Sequence, residues 1–568
     1  MNSIEKSQKW LQNPTVPEEL KEQIKKATPA EIEEMFYKNL EFGTGGMRGI
    51  LGPGSNRMNI FTVRKATLGF ALYILQVFGE EGKKRGVVLS HDNRYYSRDF
   101  VLESSKLFND LGINTFIFDG LRPTPELSFA VREKHAIAGV MITASHNPKE
   151  YNGYKVYDEE GCQLIPSKAD ILLGIINKLG DELDISYEPS EVKGQEVVLG
   201  EDMDAVFLER AKSIALRKDE KKNIKIVFSP QHGTSSYLGQ RLFKELGYEM
   251  YPVKEQCVND PAFGATLSPN PENKEAYVKL LELAKEKKAD LILTTDPDAD
   301  RVGVGFLNSK GEYELHTGNQ TGALLIDYVL RTRKELGLLG EHPTLCDTIV
   351  TSKLGEKIAE SYGVQHESFL TGFKFIGDAI YRYSKEEPHM HDYEFGYEES
   401  YGYLIAPYCR DKDSLQALVM VSEMANYYLN RGLRLDEVLD GIYKKFGYHC
   451  NKLFNIYFEG KSGSEDMNKM LDNLRNNPLT EVNGTKVVAI EDYLKQVRVE
   501  NGVETKLDHL PKSNVLKYYL EDGSWFATRP SGTEPKCKFY YEAVDTVKEN
   551  AQDKPQKLHD DVCRILGL

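Results

Sequence analysis

Short apolar runs that alternate with amphipathic stretches are the feature that most restricts the fold of this chain. RGVVLS, INTFIF and AGVMITAS have the length and composition of buried strands, and DFVLESSKLFNDLG, between the first two, has the period of a helix. The alternation returns in NIKIVFS, YEMYPV and ADLILTTD, and again after Gly318. Alternating strands and helices are typical of α/β layers. The sequence therefore predicts a succession of α/β layers.

The texture of the sequence changes after about Tyr448. There, NKLFNIYFEG, VLKYYLEDGSWFATRP and KCKFYYEAV alternate apolar and polar residues, which indicates antiparallel hairpins. We predict three α/β domains, over residues 1–198, 199–316 and 317–447, and a last α+β domain over residues 448–568. The charged first forty residues are predicted to form two helices, and DISYEPSEVKGQEV, at residues 184–197, a linker or an edge hairpin.

Composition narrows the class of protein. Of the 568 residues, 40% are hydrophobic, which is enough for several packed cores. The net charge of −15 argues against nucleic-acid binding, because affinity for the phosphate backbone needs clustered Lys and Arg. The scattered cysteines contain no CxxC pair, which argues against a disulfide framework or a zinc ribbon. Since neither a signal-peptide core nor an apolar run of about 20 residues is visible, we expect a soluble, cytoplasmic protein without membrane partners.

The strongest chemical signal lies in ADLILTTDPDADRVGVG, where a predicted strand ends in an aspartate triad (Asp296, Asp298 and Asp300). Three carboxylates this close repel one another and stay ionised only with a cation between them. Oxygen ligands alone favour a hard ion such as Mg²⁺ over zinc. The same D-x-D-x-D spacing begins an EF-hand, but Arg301 stands where that loop needs Gly, so an EF-hand is excluded. An acidic turn that only caps the strand is the alternative to a metal site.

A second signal is a polar turn in WFATRPSGTEPKCKFYY, between two predicted strands. The residues that crowd this turn are Arg529, Ser531, Gly532, Thr533 and Lys536. Two cations, two hydroxyls and a bare glycine backbone are the groups that a loop offers to a phosphate monoester. The alternative is an ordinary hairpin turn, since Pro, Ser and Gly are common turn residues.

Several other polar loops carry weaker signals. EFGYEESYGYL places Glu398 and Ser400 among aromatic residues and glycines, a composition that suits either sugar hydroxyls or an exposed loop. Other loops add single candidates, namely Arg48 in GTGGMRG, Lys374 in TGFKFIGD, Arg94 in HDNRYYS and His232 in QHGTSS.

A serine at a predicted strand end is a candidate nucleophile. In VMITASHNPKEYNGYKVY the strand ends at Ser145, and the chain returns through two turns to Lys155. The stretch is either a plain turn between strands or a presented nucleophile with His146 and Lys155 as helpers. Ser145 lacks the G-x-S-x-G elbow of a hydrolase, and no third member of a triad stands out. A serine without a triad, beside an acidic metal loop and a cationic phosphate loop, indicates phosphoryl transfer.

Four of these motifs follow one another across most of the chain, in the order ITASHNPKEYNGYKVY, DPDADR, GYEESYG and RPSGTEPK. Together they closely resemble the α-D-phosphohexomutase superfamily, and its phosphoglucomutase branch in particular. The resemblance implies three similar α/β domains with mixed sheets and a smaller C-terminal α+β domain around a central cleft. Bacterial phosphomannomutase/phosphoglucomutases often end the sugar loop with a histidine where this chain has Gly402, which favours the phosphoglucomutase branch.

The resemblance also implies roles for single residues. Ser145 would carry a phosphate and, with the aspartate triad, would hold Mg²⁺. Arg301 would support the phosphoserine, Lys155 and His146 would transfer protons, and Arg48 would line the catalytic site. The residues that would bind the substrate are Thr44, Arg48, Lys374, Glu398, Ser400, Arg529, Ser531, Gly532 and Thr533.

The reaction that the resemblance implies is the reversible conversion of α-D-glucose 1-phosphate and glucose 6-phosphate. Phospho-Ser145 would phosphorylate the free hydroxyl, the bound glucose 1,6-bisphosphate would turn around, and its other phosphate would return to Ser145; the same bisphosphate would prime the enzyme. Mannose or pentose phosphates as substrates, a metal-dependent sugar phosphatase and a non-catalytic sugar-phosphate-binding protein are the alternatives. The expected partners are small sugar phosphates, and the expected state is a monomer or a homodimer.

Overall fold

The computed structural model describes residues 1–43, 45–458, 463–531 and 536–568. The chain divides into two compact units. The first unit comprises Met1–Gly318, Gly340–His342 and Phe373–Gly432, and the second comprises Asn319–Leu339, Pro343–Gly372 and Leu433–Leu568.

The first α/β layer of the first unit is built on a seven-stranded sheet. Its helices are α1 (Ser3–Gln12), α2 (Glu18–Lys26), α3 (Pro29–Phe36), α4 (Ile60–Arg85), α5 (Ser97–Asp110), α6 (Thr124–Glu133) and α7 (Pro166–Ile176). Its strands are β1 (Phe42–Gly43), β2 (Gly46–Ile50), β3 (Val87–His91), β4 (Thr115–Phe118), β5 (Ala138–Ile142), β6 (Tyr151–Tyr157) and β7 (Glu196–Leu199). The strand order is β1-β2-β6-β5-β3-β4-β7, and β6 runs antiparallel to both of its neighbours. The sheet is therefore mixed.

The N-terminal segment forms three helices rather than the two that the sequence predicts. Helix α3 begins after Thr28, which caps it through a capping box with Glu31. The three helices enclose a small core in which Trp10 contacts Phe36 and Phe61 edge to face.

Helix α4 is, among the described residues, the one helix that is long and apolar enough to cross a membrane by length and composition. Much of it is buried in the protein instead. Val63, Phe70 and Ile74 are among its residues that belong to the core of the first layer. This is the environment of a core helix.

Residues 184–197 were predicted to be a linker or an edge hairpin, and the prediction of a hairpin is wrong. Their last residues enter β7, a single edge strand that pairs in parallel with β4. The stretch before β7 is held on the end of α5, because the N–H groups of Ser190 and Gly194 donate to the carbonyls of Asp110 and Asn109. Because the backbone of this stretch bonds to the end of α5, it does not pair with β7 as the second strand of a hairpin.

The second α/β layer also belongs to the first unit. Its helices are α8 (Glu201–Ser213), α9 (Ser235–Leu246) and α10 (Val278–Lys287), and its strands are β8 (Lys225–Ser229), β9 (Glu249–Pro252), β10 (Leu291–Thr295), β11 (Val302–Leu307) and β12 (Tyr313–Leu315). Two 3₁₀ turns span Lys254–Gln256 and Lys274–Tyr277. The order is β12-β11-β10-β8-β9, with β8, β9 and β10 parallel and β11 and β12 antiparallel.

The third α/β segment supplies elements to both units. It contains α11 (Gly318–Leu336), β13 (Pro343–Thr348), α12 (Lys353–Tyr362), β14 (Gln365–Phe369), α13 (Phe373–Lys385), β15 (Asp392–Glu398), β16 (Gly402–Leu404), α14 (Ser414–Leu429) and α15 (Leu435–Phe446). In the second unit β13 and β14 pair in parallel, and in the first unit β15 and β16 form an antiparallel pair.

The C-terminal segment forms an antiparallel sheet with helices on it. Its elements are β17 (Tyr448–Tyr457), α16 (Gly463–Asn476), β18 (Glu481–Val482), β19 (Thr485–Asp492), β20 (Val497–Glu500), β21 (Val503–Lys506), β22 (Leu516–Leu520), β23 (Trp525–Pro530), β24 (Lys536–Asp545) and α17 (Lys548–Leu566). The order is β17-β24-β23-β22-β19-β20-β21, and β18 pairs with β19. The predicted fold class, α/β layers with mixed sheets followed by an α+β region, is confirmed.

Candidate functional site

The aspartate triad lies in the loop that joins β10 to β11. Strand β10 is buried along its whole length and ends at Thr295, so the loop begins inside the protein. Asp296, Asp298 and Asp300 are all buried, and their carboxylate oxygens lie within 4.8 Å of one another. Ala299 adopts a left-handed backbone with a φ of 56°, which marks the tight turn between the last two carboxylates.

Two oxygens of the triad have no hydrogen-bond donor in the part of the chain that the structure describes. They are Oδ1 of Asp298 and Oδ1 of Asp300, and both atoms are buried. A buried carboxylate oxygen without a donor is costly unless a cation neutralises it. The set offers only oxygen ligands, which suits a hard divalent ion. These residues therefore fit a metal ion.

Burial and repulsion move the pKa values of the triad in different directions. Burial, and then the charges of Asp300 and Asp298, raise the pKa of Asp296 well above its ordinary value. Burial acts in the same direction on Asp298, but Lys155 donates to its Oδ2 at 2.7 Å and the pKa of Asp298 stays below its ordinary value. Against burial, Lys412 and Lys155 lower the pKa of Asp300. Two lysines are thus part of the electrostatics of this loop.

Ser145 occupies the turn that follows β5, as the sequence predicts. It is buried and adopts a left-handed backbone with a φ of 51°. Its Oγ donates to Oδ2 of Asp296 at 2.7 Å and lies 3.1 Å from Nδ1 of His146. The structure therefore brings the candidate nucleophile and the candidate metal loop together.

His146 is held in its neutral form. Burial, and then the charges of Arg301 and Arg48, lower the pKa of His146 well below its ordinary value. A neutral imidazole beside the Ser145 hydroxyl can accept a proton from it.

Two lysines flank the triad, and the sequence analysis identified one of them. Lys155 lies on β6, opposite Met141 of β5, and this register returns its ammonium group to the loop; Nζ is 2.7 Å from Asp298 Oδ2 and 3.5 Å from Asp300 Oδ2. Lys412 was missed. Its Nζ lies 3.3 Å from Asp300 Oδ2 and 3.8 Å from Oε2 of Glu398, so it joins the triad to the predicted sugar loop.

Gly402, at the end of the predicted sugar loop, lies directly against Lys412. A Cβ at this position would be 2.0 Å from Cδ of the lysine. A side chain at residue 402 would therefore displace the ammonium group that faces the triad.

Two arginines complete the charged surroundings. Nη1 of Arg301 donates to Glu272 at 2.5 Å, and Nε of Arg301 lies 3.9 Å from Oδ1 of Asp300. Arg48 lies on β2 with an exposed side chain, and its Nη1 donates to Oδ1 of Asn147 at 3.0 Å, two residues after the serine.

The predicted sugar loop is the turn between β15 and β16. Glu398 is the last residue of β15 and is buried, whereas Ser400, in the turn, is half-buried. Lys374 lies at the start of α13, where its Nζ is 5.3 Å from the centre of the Phe375 ring. An ion pair links Glu398 to Lys412, and so to the triad.

The predicted phosphate turn belongs to the second unit. Arg529 lies near the end of β23 with a half-buried side chain, and the N–H of Ser531 donates to the carbonyl of Lys536 at 2.8 Å. Gly532 and Thr533, as well as Thr44 in the first unit, lie outside the described residues.

Sequence reasoning missed Thr124 as well as Lys412. The Thr124 hydroxyl donates to Oδ2 of Asp298 at 3.0 Å from the first turn of α6. Nothing in the sequence around Thr124 distinguishes it from the other threonines of the chain. Lys412, in contrast, stands between two aspartates in CRDKDS, and this charge pattern was a signal that could have identified it. His232 holds the loop after β8, with Nδ1 2.8 Å from the carbonyl of Val258.

Known protein families include one whose models match most of this chain. The chain matches the models of the phosphoglucomutase/phosphomannomutase family for alpha/beta/alpha domain I over residues 39–182, domain II over 205–308, domain III over 317–446 and the C-terminal domain over 479–554. This chain belongs to that family. The domain limits predicted from the sequence alone stay predictions.

Individual relatives agree with the family match. The chain is 38% identical to the phosphoglucomutase of Staphylococcus epidermidis over 523 residues, which cover 90% of this chain and 92% of the relative. It is 35% identical to a Staphylococcus aureus phosphoglucomutase over 93% of both chains. Among solved structures, the open form of the parafusin phosphoglucomutase from Paramecium superposes with a TM-score of 0.67 at 18% identity, covering 94% of this chain and 95% of that one. At that identity the likeness concerns the fold.

Proposed function

We propose that this protein is a phosphoglucomutase, which interconverts α-D-glucose 1-phosphate and glucose 6-phosphate through a phosphate carried on Ser145. The observation that carries the proposal is the 2.7 Å contact between Ser145 Oγ and Asp296, in a loop whose buried carboxylate oxygens fit a metal ion. The activity named for the two staphylococcal relatives supports the choice of glucose phosphates.

The phosphoryl transfer between Ser145 and the sugar balances without any further reactant. The 6-hydroxyl of glucose 1-phosphate attacks the phosphorus of phospho-Ser145, so that an O6–P bond forms and the Oγ–P bond breaks. The proton of the attacking hydroxyl ends on Oγ. After the resulting glucose 1,6-bisphosphate turns around, Ser145 takes the phosphate from C1 by the reverse step. A bisphosphate of this kind also primes an enzyme that has lost its phosphate.

Proton movement is assigned to His146 and Lys155. Neutral His146, 3.1 Å from Ser145 Oγ, accepts the hydroxyl proton when the serine attacks and returns it when the serine leaves. Lys155 is a cation that can donate a proton, and its contact with Asp298 keeps it close to the same loop. Arg301 and Arg48 supply positive charge around the serine.

We propose Mg²⁺ as the metal, held by the aspartate triad together with an oxygen of the Ser145 side chain or its phosphate. When bound, Mg²⁺ would offset negative charge on the phosphoryl group that is transferred. The chain's own contribution is to keep three carboxylates buried and close, with Lys155 and Lys412 at their outer oxygens.

Substrate recognition is assigned to the remaining predicted residues. Glu398 and Ser400 bind the sugar hydroxyls, and Arg529 and Ser531 act as ligands for the phosphate that is not being transferred. The other residues in the proposal are Thr44, Lys374, Gly532 and Thr533. Because the sugar binds in two orientations, we expect the carboxylate of Glu398 to contact O3 and O4, which exchange places, rather than O2.

The decisive experiment compares the wild type with Ser145→Ala. In a coupled assay with glucose 1-phosphate and glucose 1,6-bisphosphate, the variant should lose turnover by about 10⁴-fold or more, because the carrier itself is removed. Intact-mass analysis should find one added phosphate on the wild type and none on the variant. Near-normal isomerisation by the alanine variant would refute the mechanism.

The same assay decides between substrates. Mannose 1-phosphate, which shares the O3 and O4 configuration of glucose, should react more slowly, and ribose 1-phosphate tests the pentose alternative. Release of inorganic phosphate without isomerisation would instead identify a sugar phosphatase.

A further inference from the structure

The backbone of Ser145 is in a conformation that needs support. Its φ of 51° lies in the left-handed region, which a residue with a Cβ rarely adopts. Such a conformation persists where the surrounding structure fixes it, and it is often found at functional sites. The surroundings of Ser145 therefore show what holds its hydroxyl in place.

One support is the guanidinium group of Arg94, a residue with only 3% of its surface exposed. Nη2 donates to the carbonyls of Ser145 at 2.6 Å and Asn147 at 2.5 Å, and Nη1 donates to those of Pro148 at 2.7 Å and Tyr151 at 3.0 Å. With Nε bonded to Asp92, all five N–H donors of the arginine are used. Four of them hold one loop.

A second support holds the other side of the same residue. The N–H of Ser145 donates to Oγ1 of Thr143 at 2.8 Å, and this hydroxyl in turn donates to Oδ2 of Asp92 at 2.7 Å. The same carboxylate accepts from Nε of Arg94 at 3.1 Å. Asp92 thus joins the two supports, one on the N–H and one on the C=O of the serine.

Arg94 touches the main chain of the loop rather than the reacting atoms. Its other face lies over the ring of Phe263, 5.3 Å from the ring centre, in the loop after the 3₁₀ turn that follows β9. All its donors are used inside the protein, so none is left for a substrate.

We propose that Arg94, Thr143 and Asp92 are positioning residues that clamp the Ser145 peptide and aim its Oγ at the incoming phosphorus. The proposal rests on the proposed role of Ser145 as phosphate carrier. Displacement of a reacting atom by about 1 Å can cost about 100-fold in rate. Loss of one support should therefore lower the rate of transfer and leave the affinity for the sugar phosphate largely unchanged.

The first test is Arg94→Lys, which keeps the charge but can no longer bond four carbonyls. With glucose 1-phosphate as substrate, we expect kcat to fall about 100-fold while KM changes less than about twofold. The rate at which dephosphorylated protein gains phosphate from glucose 1,6-bisphosphate, followed by intact mass, should fall by a similar factor and still approach one phosphate per chain. A matched control is Arg57→Lys, a buried arginine that also donates to main-chain carbonyls but belongs to the segment before α4.

A purely structural role gives a different result. It would lower the number of chains that accept phosphate and leave the rate per competent chain within about twofold of the wild type, and this outcome would overturn the proposal. An equal loss in Arg57→Lys would overturn it too.

The second test uses the other support and does not depend on whether Arg94→Lys folds. Thr143→Val removes the hydroxyl at nearly constant volume, and Thr143→Ser restores it. We expect Thr143→Val to slow phosphate gain at least tenfold and Thr143→Ser to recover most of the rate. Equal rates in the two variants would refute the clamp. If the wild type gains no phosphate, or Ser145→Ala gains as much as the wild type, the carrier role itself fails and the clamp falls with it.

Discussion

Two buried carboxylate sites, the triad in the first unit and Glu542 in the second, differ in how completely their oxygens are bonded. In the first unit, the triad keeps Oδ1 of Asp298 and Oδ1 of Asp300 without donors among the described residues. In the second unit, Glu542 accepts from the Ser352 hydroxyl, the Lys353 N–H at 3.0 Å, His449 Nδ1 at 2.8 Å and the Trp525 indole N–H.

The difference separates two uses of buried charge. Against burial, the donors around Glu542, of which His449 contributes most, lower the pKa of Glu542 to about 2. Each of its two oxygens accepts two hydrogen bonds. In the triad, the oxygens without donors belong to Asp298 and Asp300, whose pKa values the neighbouring lysines lower against burial. Burial, and then the charges of these two carboxylates, raise the pKa of Asp296, although both of its oxygens accept hydrogen bonds. A saturated carboxylate stabilises a fold, whereas an unsaturated group of carboxylates can bind a cation. Mutations at the two sites should therefore have opposite effects on activity and stability.

The largest effect is expected for Asp298→Asn in the triad. Loss of one of three charges should weaken the hard-cation site and lower kcat by about 10³-fold or more. The free energy of unfolding should change by less than about 1 kcal/mol, because the substitution also removes a repulsion. Exhaustive chelation of the wild type should cause a comparable loss that added Mg²⁺ reverses; full activity after chelation would contradict the metal assignment.

The converse change is Glu542→Gln in the second unit. Breaking a bonded, buried charge should cost about 3–5 kcal/mol of unfolding free energy while kcat of the folded enzyme stays within a few-fold. Unfolding in urea can be followed by the fluorescence of Trp525 in a Trp10→Phe background, since the chain has two tryptophans. Glu481→Gln, at an exposed position of β18, serves as the control. A large loss of kcat in a stable Glu542→Gln protein would break the comparison.

A smaller effect is expected at His366, whose ring lies between two carboxylates of the second unit. Nε2 is 3.0 Å from Asp347 and Nδ1 is 3.4 Å from Glu356. Burial opposes the charge, but these carboxylates raise the pKa of His366 to about 9. Because the folded pKa lies above the ordinary value, the stabilisation is complete below about pH 6.5 and is lost as the pH rises through about 9.

The free energy of unfolding that is lost between these pH values is up to about 3 kcal/mol. Urea midpoints from the Trp525 signal between pH 6 and pH 9.5 should fall for the wild type and stay nearly flat for His366→Gln. Parallel pH profiles for the two proteins would show that His366 is not the titrating group.

The sequence predicted the parts of the fold and the site that depend on neighbouring residues. RGVVLS and ADLILTTD became β3 and β10 because a short apolar run next to turn residues is a local signal. The position of Ser145 at a strand end and the convergence of the triad are local in the same way. They needed no knowledge of tertiary structure.

The features that the sequence did not reveal depend on long-range contacts. Lys412 reaches Asp300 across more than a hundred residues, and Thr124 reaches Asp298 across 174. Arg94 appeared only as one polar candidate, since nothing in HDNRYYS shows that four of its five donors bond the carbonyls of another loop. The third helix at the N-terminus is a different case, because its start signal is local: Thr28 and Glu31 form a capping box, with Pro29 at the first helical position.

The clamp on Ser145 also has a consequence for how the enzyme is made. Arg94, Thr143 and β6 have all been synthesised once the ribosome has added residue 157. Asp296 follows 139 residues later, and Lys412 later still. At a ribosomal speed of about 5–20 residues per second, the gap between serine and carboxylate lasts on the order of ten seconds. During that interval the nascent chain can shape its serine loop but cannot neutralise or exchange a phosphate there. A chain that terminates before residue 296 would therefore lack the carboxylates of the proposed metal site, however well its first sheet has formed.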